Sequence, residues 1–297
     1  MNFKTIWSIL KETYKEWSDD GASHLAAALS YYTALSIAPL LVIVILAVGL
    51  ILGNQQNART EILNQIQNVM GTQGAEFIKA AIDNAKRPST ATLAGLLSLA
   101  TLLWGSTNLF NELQTSLNTI WDVKLKPGLG IWATLKERFL SFLLVLGTGF
   151  LLLVSLILSA ALSLVATYFN RLLPGGEWIW QLINLVVSFG VITLLFGLIY
   201  KILPDAEINW HDIWLGAAVT ALLFTIGKYL LGLYLANAGS AYGAAGSLVV
   251  FLIWVYYSAQ ILFLGAEFTQ VYANRYGTGV RPAANAVSIE NYQEAHR

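Results

Sequence analysis

The sequence contains no cysteine, and only 11% of its 297 residues are charged. The absence of cysteine excludes disulfide bridges, thiolate metal sites, iron–sulfur ligation and a cysteine nucleophile. The shortage of charge excludes an ordinary soluble fold, because globular domains carry roughly 25% charged residues. The formal net charge is zero, with 17 basic and 17 acidic residues. The chain therefore lacks the overall positive charge that is typical of a nucleic-acid-binding protein.

The motifs of soluble enzymes are missing as well. The three histidines, His24, His211 and His296, are scattered, and no HExxH or similar metal-binding cluster occurs. There is no GxxxxGK[ST] phosphate loop and no GxSxG nucleophile elbow. The sequence therefore predicts no catalytic residues, no cofactor, no metal site and no built-in ATPase.

Hydrophobic residues make up 56% of the chain and form runs long enough to cross a bilayer. A helical span needs about 20 mainly apolar residues, and an open sheet would leave backbone groups unpaired in lipid. The sequence therefore predicts an all-α, polytopic transmembrane helix bundle. Pro39 lies inside the first span and is predicted to kink it. The predicted spans number about six and lie at 27–52, 92–112, 139–167, 179–202, 211–236 and 244–272.

The segments outside the spans are predicted to divide the chain into three parts. Residues 1–20 form an N-terminal interfacial amphipathic helix, residues 21–275 form the six-helix transmembrane domain, and the polar residues 276–297 form a disordered cytoplasmic tail. Within the domain, the loop after the first span is predicted to form two short amphipathic helices, separated at Gly71–Gly74, which either cap a cavity or lie on lipid. The apolar face of the N-terminal helix consists of Phe3, Ile6, Trp7, Leu10, Tyr14 and Trp17.

Lysine and arginine are distributed unevenly between the two sides of this predicted topology. The N-terminus, residues 122–138, residues 201–212 and the C-terminus hold eleven basic residues, whereas the connections on the other side hold five. Because cytoplasmic loops carry the excess of positive charge, both termini are predicted to lie in the cytoplasm.

Four segments of the chain carry a family resemblance. They are LAAALSYYTALSIAPLL at 25–41, SLNTIWDV at 116–123, YKILPD at 200–205 and YGAAGSLVVFLIWVYYSAQILFLGAEFTQ at 242–270. In this order, over roughly residues 10–275, they resemble the YihY/BrkB family of inner-membrane proteins, once labelled ribonuclease BN. The resemblance implies six spans, a bacterial-type inner (plasma) membrane, and a role in transport or lipid translocation.

Ionisable groups inside spans mark the places where function is expected, because a charge at a helix centre costs roughly 2.5–3.5 kcal/mol on insertion scales. Lys228 lies in the fifth span. It either lines a pathway for an anionic headgroup or a coupling ion, or forms a structural ion pair with Glu267 or Glu112. Glu267, near the end of the sixth span, is interpreted as a snorkelling or capping carboxylate. Asp19 or Asp20 is predicted to cap the first span.

Other polar side chains are predicted pathway residues with a structural alternative. Asn108 and Glu112 form a polar stripe that either lines a cavity or belongs to a helix that has left the hydrocarbon. His24 is either a proton relay or a satisfied interfacial histidine. Tyr31 and Tyr242 either line a polar cavity or pack as aromatic rings.

Three functions are compatible with these features. The first is a transporter or lipid translocator with a polar intramembrane cavity lined by spans one, two, five and six, whose partners are membrane lipids and an anionic lipid or small-molecule substrate. The alternative is a non-transporting membrane scaffold with a dry helix bundle. A ribonuclease ranks third, because the predicted cytoplasmic loops are too short for an RNA-binding track and a catalytic set. The sequence thus predicts a protein that is not an enzyme.

Overall fold

The computed structural model describes residues 3–52, 55–85, 108–126, 177–238, 242 and 245–294. The third predicted span, 139–167, and most of the second lie outside the described residues. The helices are α1 Phe3–Asp19, α2 Ala22–Leu52, α3 Gln55–Ala85, α4 at 108–120, α5 Glu177–Ile202, α6 Trp210–Ala238, α7 Gly246–Tyr276 and α8 Ile289–Glu294. The strands are β1 Val123–Leu125, β2 Ala206–Glu207, β3 Arg281–Pro282 and β4 Ala286–Ser288.

Three helices in the described part of the chain are long and apolar enough to cross a membrane, by length and composition. They correspond to the last three predicted spans, and the protein is a membrane helix bundle as the sequence predicts. α2 covers the first predicted span as one helix of 31 residues that continues through Pro39; the predicted kink stays a prediction. The total of six spans also stays a prediction. The three helical segments are Leu185–Ile202, Trp210–Leu235 and Gly246–Tyr276.

α7 lies at the centre of the described bundle and contacts α1, α2, α3 and α6. It approaches α6 closely where Gly265 faces Thr220 and where Thr269 faces Gly216. Small residues allow such an approach, which lets backbone atoms of two helices pack without an intervening side chain. The largest core cluster surrounds this contact and includes Trp121, Tyr200, Phe263 and Ala266.

α3 is interrupted at Gly71, which has φ 77° and ψ 178°. Glycine adopts this positive φ without the steric cost that a Cβ would add. The predicted division into two helices at this position is confirmed. The apolar face does not lie on lipid, because Met70, Ile78 and Ile82 are buried in a second core cluster that includes Ile45 of α2 and Phe251 of α7.

The N-terminal helix presents two different faces. Ile9 and Thr13 are buried, and α1 as a whole packs against α7. Four of the six side chains of its predicted apolar face are exposed on the described protein: Ile6, Trp7, Leu10 and Tyr14. A helix with this second apolar face suits the membrane interface, which stays the prediction for α1.

The prediction of a disordered tail is wrong for residues 277–294. β4 pairs antiparallel with β1, with Val123 opposite Ser288, and β3 pairs antiparallel with β2, with Ala206 opposite Pro282. Ala286 is 4% exposed. Strands β1 and β2 supply the backbone hydrogen bonds that order the tail. The tail therefore needs no periodic pattern of its own.

These pairings gather three segments at one end of the bundle: residues 121–126, residues 203–209 and residues 277–294. Together with α1, these segments make up the region that we call the strand end. Arg275 of α7 joins α1 to this end through Glu12 Oε2 at 2.6 Å and Ser8 Oγ at 2.8 Å. The predicted topology placed the same four regions on one side of the membrane. Their contacts support that arrangement, and the cytoplasmic assignment stays a prediction.

Candidate functional site

Lys228 lines an open cleft of about 760 Å³ between α3 and α6. Gln67 and Gly71 line the cleft from α3, at the point where that helix is interrupted. Thr225 and Tyr229 line it from α6, together with apolar side chains. The cleft therefore combines one cationic group with a mainly apolar wall.

Lys228 makes no ion pair among the described residues. The ion pair of Lys228 with Glu267 or Glu112, which the sequence left open, is therefore not formed in the described part of the protein. Glu267 lies in α7 next to the strand end, where the neighbouring Ala266 contacts Trp121, and its carboxyl lies near that of Asp20. The structure therefore separates the two charged groups that the sequence considered as partners.

Glu267 is 0% exposed, so the interpretation as a snorkelling carboxylate is wrong. Gly265 and Ala266 allow α7 to pack deeply, and Trp121 covers the site while its Nε1 donates to the Ala266 carbonyl at 3.3 Å. Within the described part of the chain, neither Oε1 nor Oε2 of Glu267 has a hydrogen-bond donor. The carboxyl of Asp20 lies within hydrogen-bonding reach.

Two turns bring further carboxyl groups toward Glu267. Asp20 lies in the turn between α1 and α2, where Gly21 has φ 64°. The prediction that Asp19 or Asp20 caps the first span is wrong. The capping position is Gly21, whose carbonyl accepts the first hydrogen bond of the helix from the amide of His24 at 2.8 Å. Asp122, with φ 53°, follows α4. The side chain of Gln270 donates to Asp122 Oδ2 at 3.0 Å.

The two carboxyl groups in the turns have raised pKa values. Burial is the largest cause for Asp20, followed by the negative charges of Asp122 and Glu16, and together they raise its pKa to about 6. Burial also raises the pKa of Asp122, while the hydrogen bond from Gln270 lowers it. Desolvation and like charge both disfavour the ionised form. These two carboxyl groups therefore retain their protons more readily than ordinary carboxyl groups do.

Asp205 is the centre of a second polar network at the strand end. Its Oδ2 accepts from Asn118 at 2.8 Å and from Gln114 at 3.1 Å, and its Oδ1 accepts from Asn285 at 2.8 Å. Its carbonyl accepts from the amide of Ala283 at 2.9 Å. The sequence did not single out this residue, because YKILPD was used only as one of the four segments that carry the family resemblance.

The remaining predicted site residues lie apart from one another. His24 is exposed on α2, and Tyr31 is 59% exposed and packs edge to face on Tyr32. Tyr242 is also exposed. Asn108 and Glu112 are half-buried on α4. Among the described residues, Lys228 alone of the predicted set lines the cleft. Its walls come from α3 and from α6, which is the predicted span five; the prediction named spans one, two, five and six.

Comparison with known proteins identifies the family. A family model described as virulence factor BrkB matches residues 13–290, which include the strands of the tail. The chain belongs to the BrkB family. This confirms the resemblance that the four sequence segments carry.

Relatives within the BrkB family are described as UPF0761 membrane proteins. The relative from Psychrobacter sp. (strain PRwf-1) is 30% identical over 271 residues, which cover 89% of this chain and 48% of that protein. The relative from Mannheimia succiniciproducens is 27% identical over 87% of both chains, and that from Tolumonas auensis is 31% identical over 82% and 78%. The chain thus spans about half the length of the first relative and most of the other two. No solved structure matches the chain.

Proposed function

We propose that the protein is a membrane transporter or lipid translocator, without a built-in ATPase, whose substrate is an anionic amphiphile. The observation that carries the proposal is Lys228, which has no ion-pair partner among the described residues and lies beside a mainly apolar cleft in a helix suited to cross the membrane. A lysine in that setting needs a counterion, because an unpaired charge in a span is costly. A phosphate or carboxylate headgroup supplies one.

The surroundings of the cleft favour a lipid over a fully soluble anion. Tyr229, Leu230 and Leu233 line it and are 69%, 58% and 60% exposed on the described protein. In a bilayer such side chains face acyl tails, so a lipid can bring its headgroup to Lys228 while its chains stay in hydrocarbon. The proposed partners are therefore membrane lipids, with an anionic lipid or a small anionic molecule as substrate.

Lys228→Ala should slow the transfer of labelled phosphatidylglycerol between leaflets of proteoliposomes by about 10-fold or more. A hydrogen bond to a charged group contributes about 1.5–3 kcal/mol, which corresponds to about 10- to 100-fold in affinity. Lys228→Arg keeps the charge and should retain most of the transfer. The measurement is the loss of fluorescence when an impermeant reductant reaches the labelled headgroup.

Lys79→Ala is the matched control for this experiment, because Lys79 is an exposed lysine of α3 and does not line the cleft. It should transfer lipid at the wild-type rate. Equal rates for wild type and Lys228→Ala, with labelled phosphatidylglycerol and with labelled phosphatidylcholine alike, would remove the role proposed for Lys228.

A membrane scaffold is the second candidate function, and the Asp205 network favours it. A buried acceptor that joins α4, the 203–209 loop and the tail holds the strand end in one arrangement, as a structural protein requires. The open cleft at Lys228 favours transport instead. We propose no enzymatic activity, and no observation on the described residues favours a ribonuclease.

For location, we propose a bacterial inner membrane with both termini in the cytoplasm. Because the chain has no cysteine, a single introduced cysteine reports its own side of the membrane. In intact cells, an impermeant thiol reagent should label Lys79→Cys and spare Thr278→Cys, which both replace exposed residues. After the inner membrane is opened, both should react. The reverse pattern would invert the proposed orientation.

A further inference from the structure

We propose that Asp20 and Glu267 form a proton-binding site that holds one shared proton, and that this proton is the ion coupled to transport. The coupling rests on the function proposed above, whereas the binding site does not. Asp20 lies in the turn between α1 and α2, and Glu267 lies in α7, next to the strand end.

The geometry of Glu267 requires a donor that the described part of the protein does not provide. The side chain is 0% exposed, and neither of its oxygens has a donor among the described residues. The group within reach is the carboxyl of Asp20, and an ionised carboxyl only accepts hydrogen bonds. A single proton on either residue turns this contact into a hydrogen bond and satisfies an oxygen of each.

The charged groups that act on Glu267 are all negative in the part of the chain that the structure describes. They are Asp20, Glu16 and Asp122, from α1 and from the two turns. The basic residues of α1 and α7 that lie nearest along the chain are engaged elsewhere. Lys15 pairs with Asp19 at 3.1 Å and with Glu16 at 3.4 Å, and Arg275 pairs with Glu12 at 2.6 Å.

A proton fits this site better than a metal ion. In the described part of the chain, no group of three or more histidine or carboxylate ligands is placed to hold a metal. Burial of an ionised carboxyl without a partner is costly, and a carboxyl in that position binds a proton instead. Two carboxyl groups in contact share a proton because both cannot ionise at neutral pH without repulsion.

Release of the proton would act on the helix contact that leads toward the transport cleft. Two adjacent carboxylates repel, and this repulsion acts between α7 and the turn that joins α1 to α2 at Gly21. Glu267 lies two residues after Gly265, where α7 meets Thr220 of α6. Lys228 lies on the same helix α6, two turns beyond Thr220. Proton occupancy and the position of Lys228 are thereby mechanically connected.

Infrared spectroscopy of the purified full chain in phosphatidylglycerol–phosphatidylcholine vesicles tests the site directly. Wild type should show the carbonyl band of a protonated carboxyl group at pH 7, and the band should disappear as the pH is raised. Glu267→Gln and Asp20→Asn should each remove this titrating band. The control Glu207→Gln, an exposed residue of β2, should leave it unchanged. Absence of the band in wild type at pH 7, or its persistence in Glu267→Gln, would overturn the site.

Thermal unfolding provides a second measurement that does not depend on any variant being functional. In addition to the proton shared at pH 7, Asp20 takes up a proton of its own at lower pH: burial and neighbouring negative charge raise its pKa from 3.8 to about 6. The folded chain therefore binds this additional proton more tightly than the unfolded chain. Its stabilising contribution is complete below pH 3.8 and is lost as the pH rises through about 6. The melting temperature of wild type should fall over that interval, and Asp20→Asn should remove this part of the fall. An identical pH dependence in both proteins would contradict the placement of Asp20 in a buried site beside Glu267.

Coupling is tested by the transfer of labelled phosphatidylglycerol with and without a pH gradient across the vesicle. The ratio of the two rates should exceed one in wild type and in Glu207→Gln, and should return to one in Glu267→Gln. A ratio of one in wild type would refute the coupling. It would not bear on the proton-binding site, which the infrared titration tests separately. If wild type transfers no lipid under either condition, the proposed function fails and the coupling fails with it, while the infrared titration still decides the site.

Discussion

Gly265→Ala should destabilise the protein by about 3 kcal/mol, because a methyl group has no room at that position. A Cβ at Gly265 would lie 2.7 Å from the hydroxyl of Tyr200 and 2.8 Å from the Cβ of Thr220, with the Thr220 hydroxyl closer still. Overpacking of this kind costs about 1–3 kcal/mol. The displaced hydroxyl of Tyr200 would also lose its bond to the Leu262 carbonyl, now 2.7 Å long, at a further cost of about 1–3 kcal/mol.

The measurement is thermal unfolding in detergent, and Gly190→Ala is the matched control. Gly190 lies in α5, and no described atom lies within 4 Å of the position that an alanine methyl group would take there. Alanine should therefore leave stability unchanged or raise it slightly through its higher helix propensity. Equal melting temperatures for Gly265→Ala and Gly190→Ala would mean that α6 and α7 do not pack as closely as described.

The spanning helices were predictable because the bilayer sets their length and composition. The predicted spans 179–202 and 211–236 differ by a few residues from α5 and α6. The division of α3 was also predictable, because Gly71 is a local signal for a backbone that other residues avoid. Long apolar runs and single glycines act through neighbours along the chain, and a single sequence displays such neighbours.

The strand end was not predictable for the opposite reason. Its strands have two or three residues each, which is too short for a periodic pattern. Asp205 meets Asn118 across 87 positions of sequence and Asn285 across 80. No spacing rule connects residues so far apart. A polar tail without periodicity therefore looked disordered, although its partners existed elsewhere.

The pair of Asp20 and Glu267 was missed because each residue had a familiar local explanation. An aspartate before a helix is typical of a cap, and a glutamate near the end of a span is typical of snorkelling. Each explanation needs only its own segment. The one available signal was charge balance: Asp19, Asp20 and Glu267 border apolar runs in which the only cation is Lys228. An acidic group in a span without a basic group to match it is a reason to consider a proton.

Asp205→Ala should cause a stability loss of roughly 3 kcal/mol or more, because it removes the acceptor for three side-chain amides at once, one buried and two partly buried. Asp205 is 7% exposed and binds Gln114, Asn118 and Asn285. Each hydrogen bond to a charged group contributes about 1.5–3 kcal/mol, although bonds that share one carboxylate are not additive. At about 2–4 °C per kcal/mol, the melting temperature should fall by roughly 6–12 °C.

The tail gives this prediction a more specific readout than melting alone. Asn285→Ala removes the side-chain bond between Asp205 and the tail and keeps the backbone bond from the Ala283 amide. It should therefore increase protease cleavage within residues 277–294 and lower the melting temperature less than Asp205→Ala does. Asp205→Ala should increase cleavage as well, because Asn285 loses its side-chain acceptor. Glu207→Ala replaces an exposed carboxylate two residues away in β2 and should resemble wild type in both measurements. If Asp205→Ala has the same melting temperature as Glu207→Ala and its tail resists the protease, the two short strand pairs hold the strand end and the Asp205 carboxylate does not.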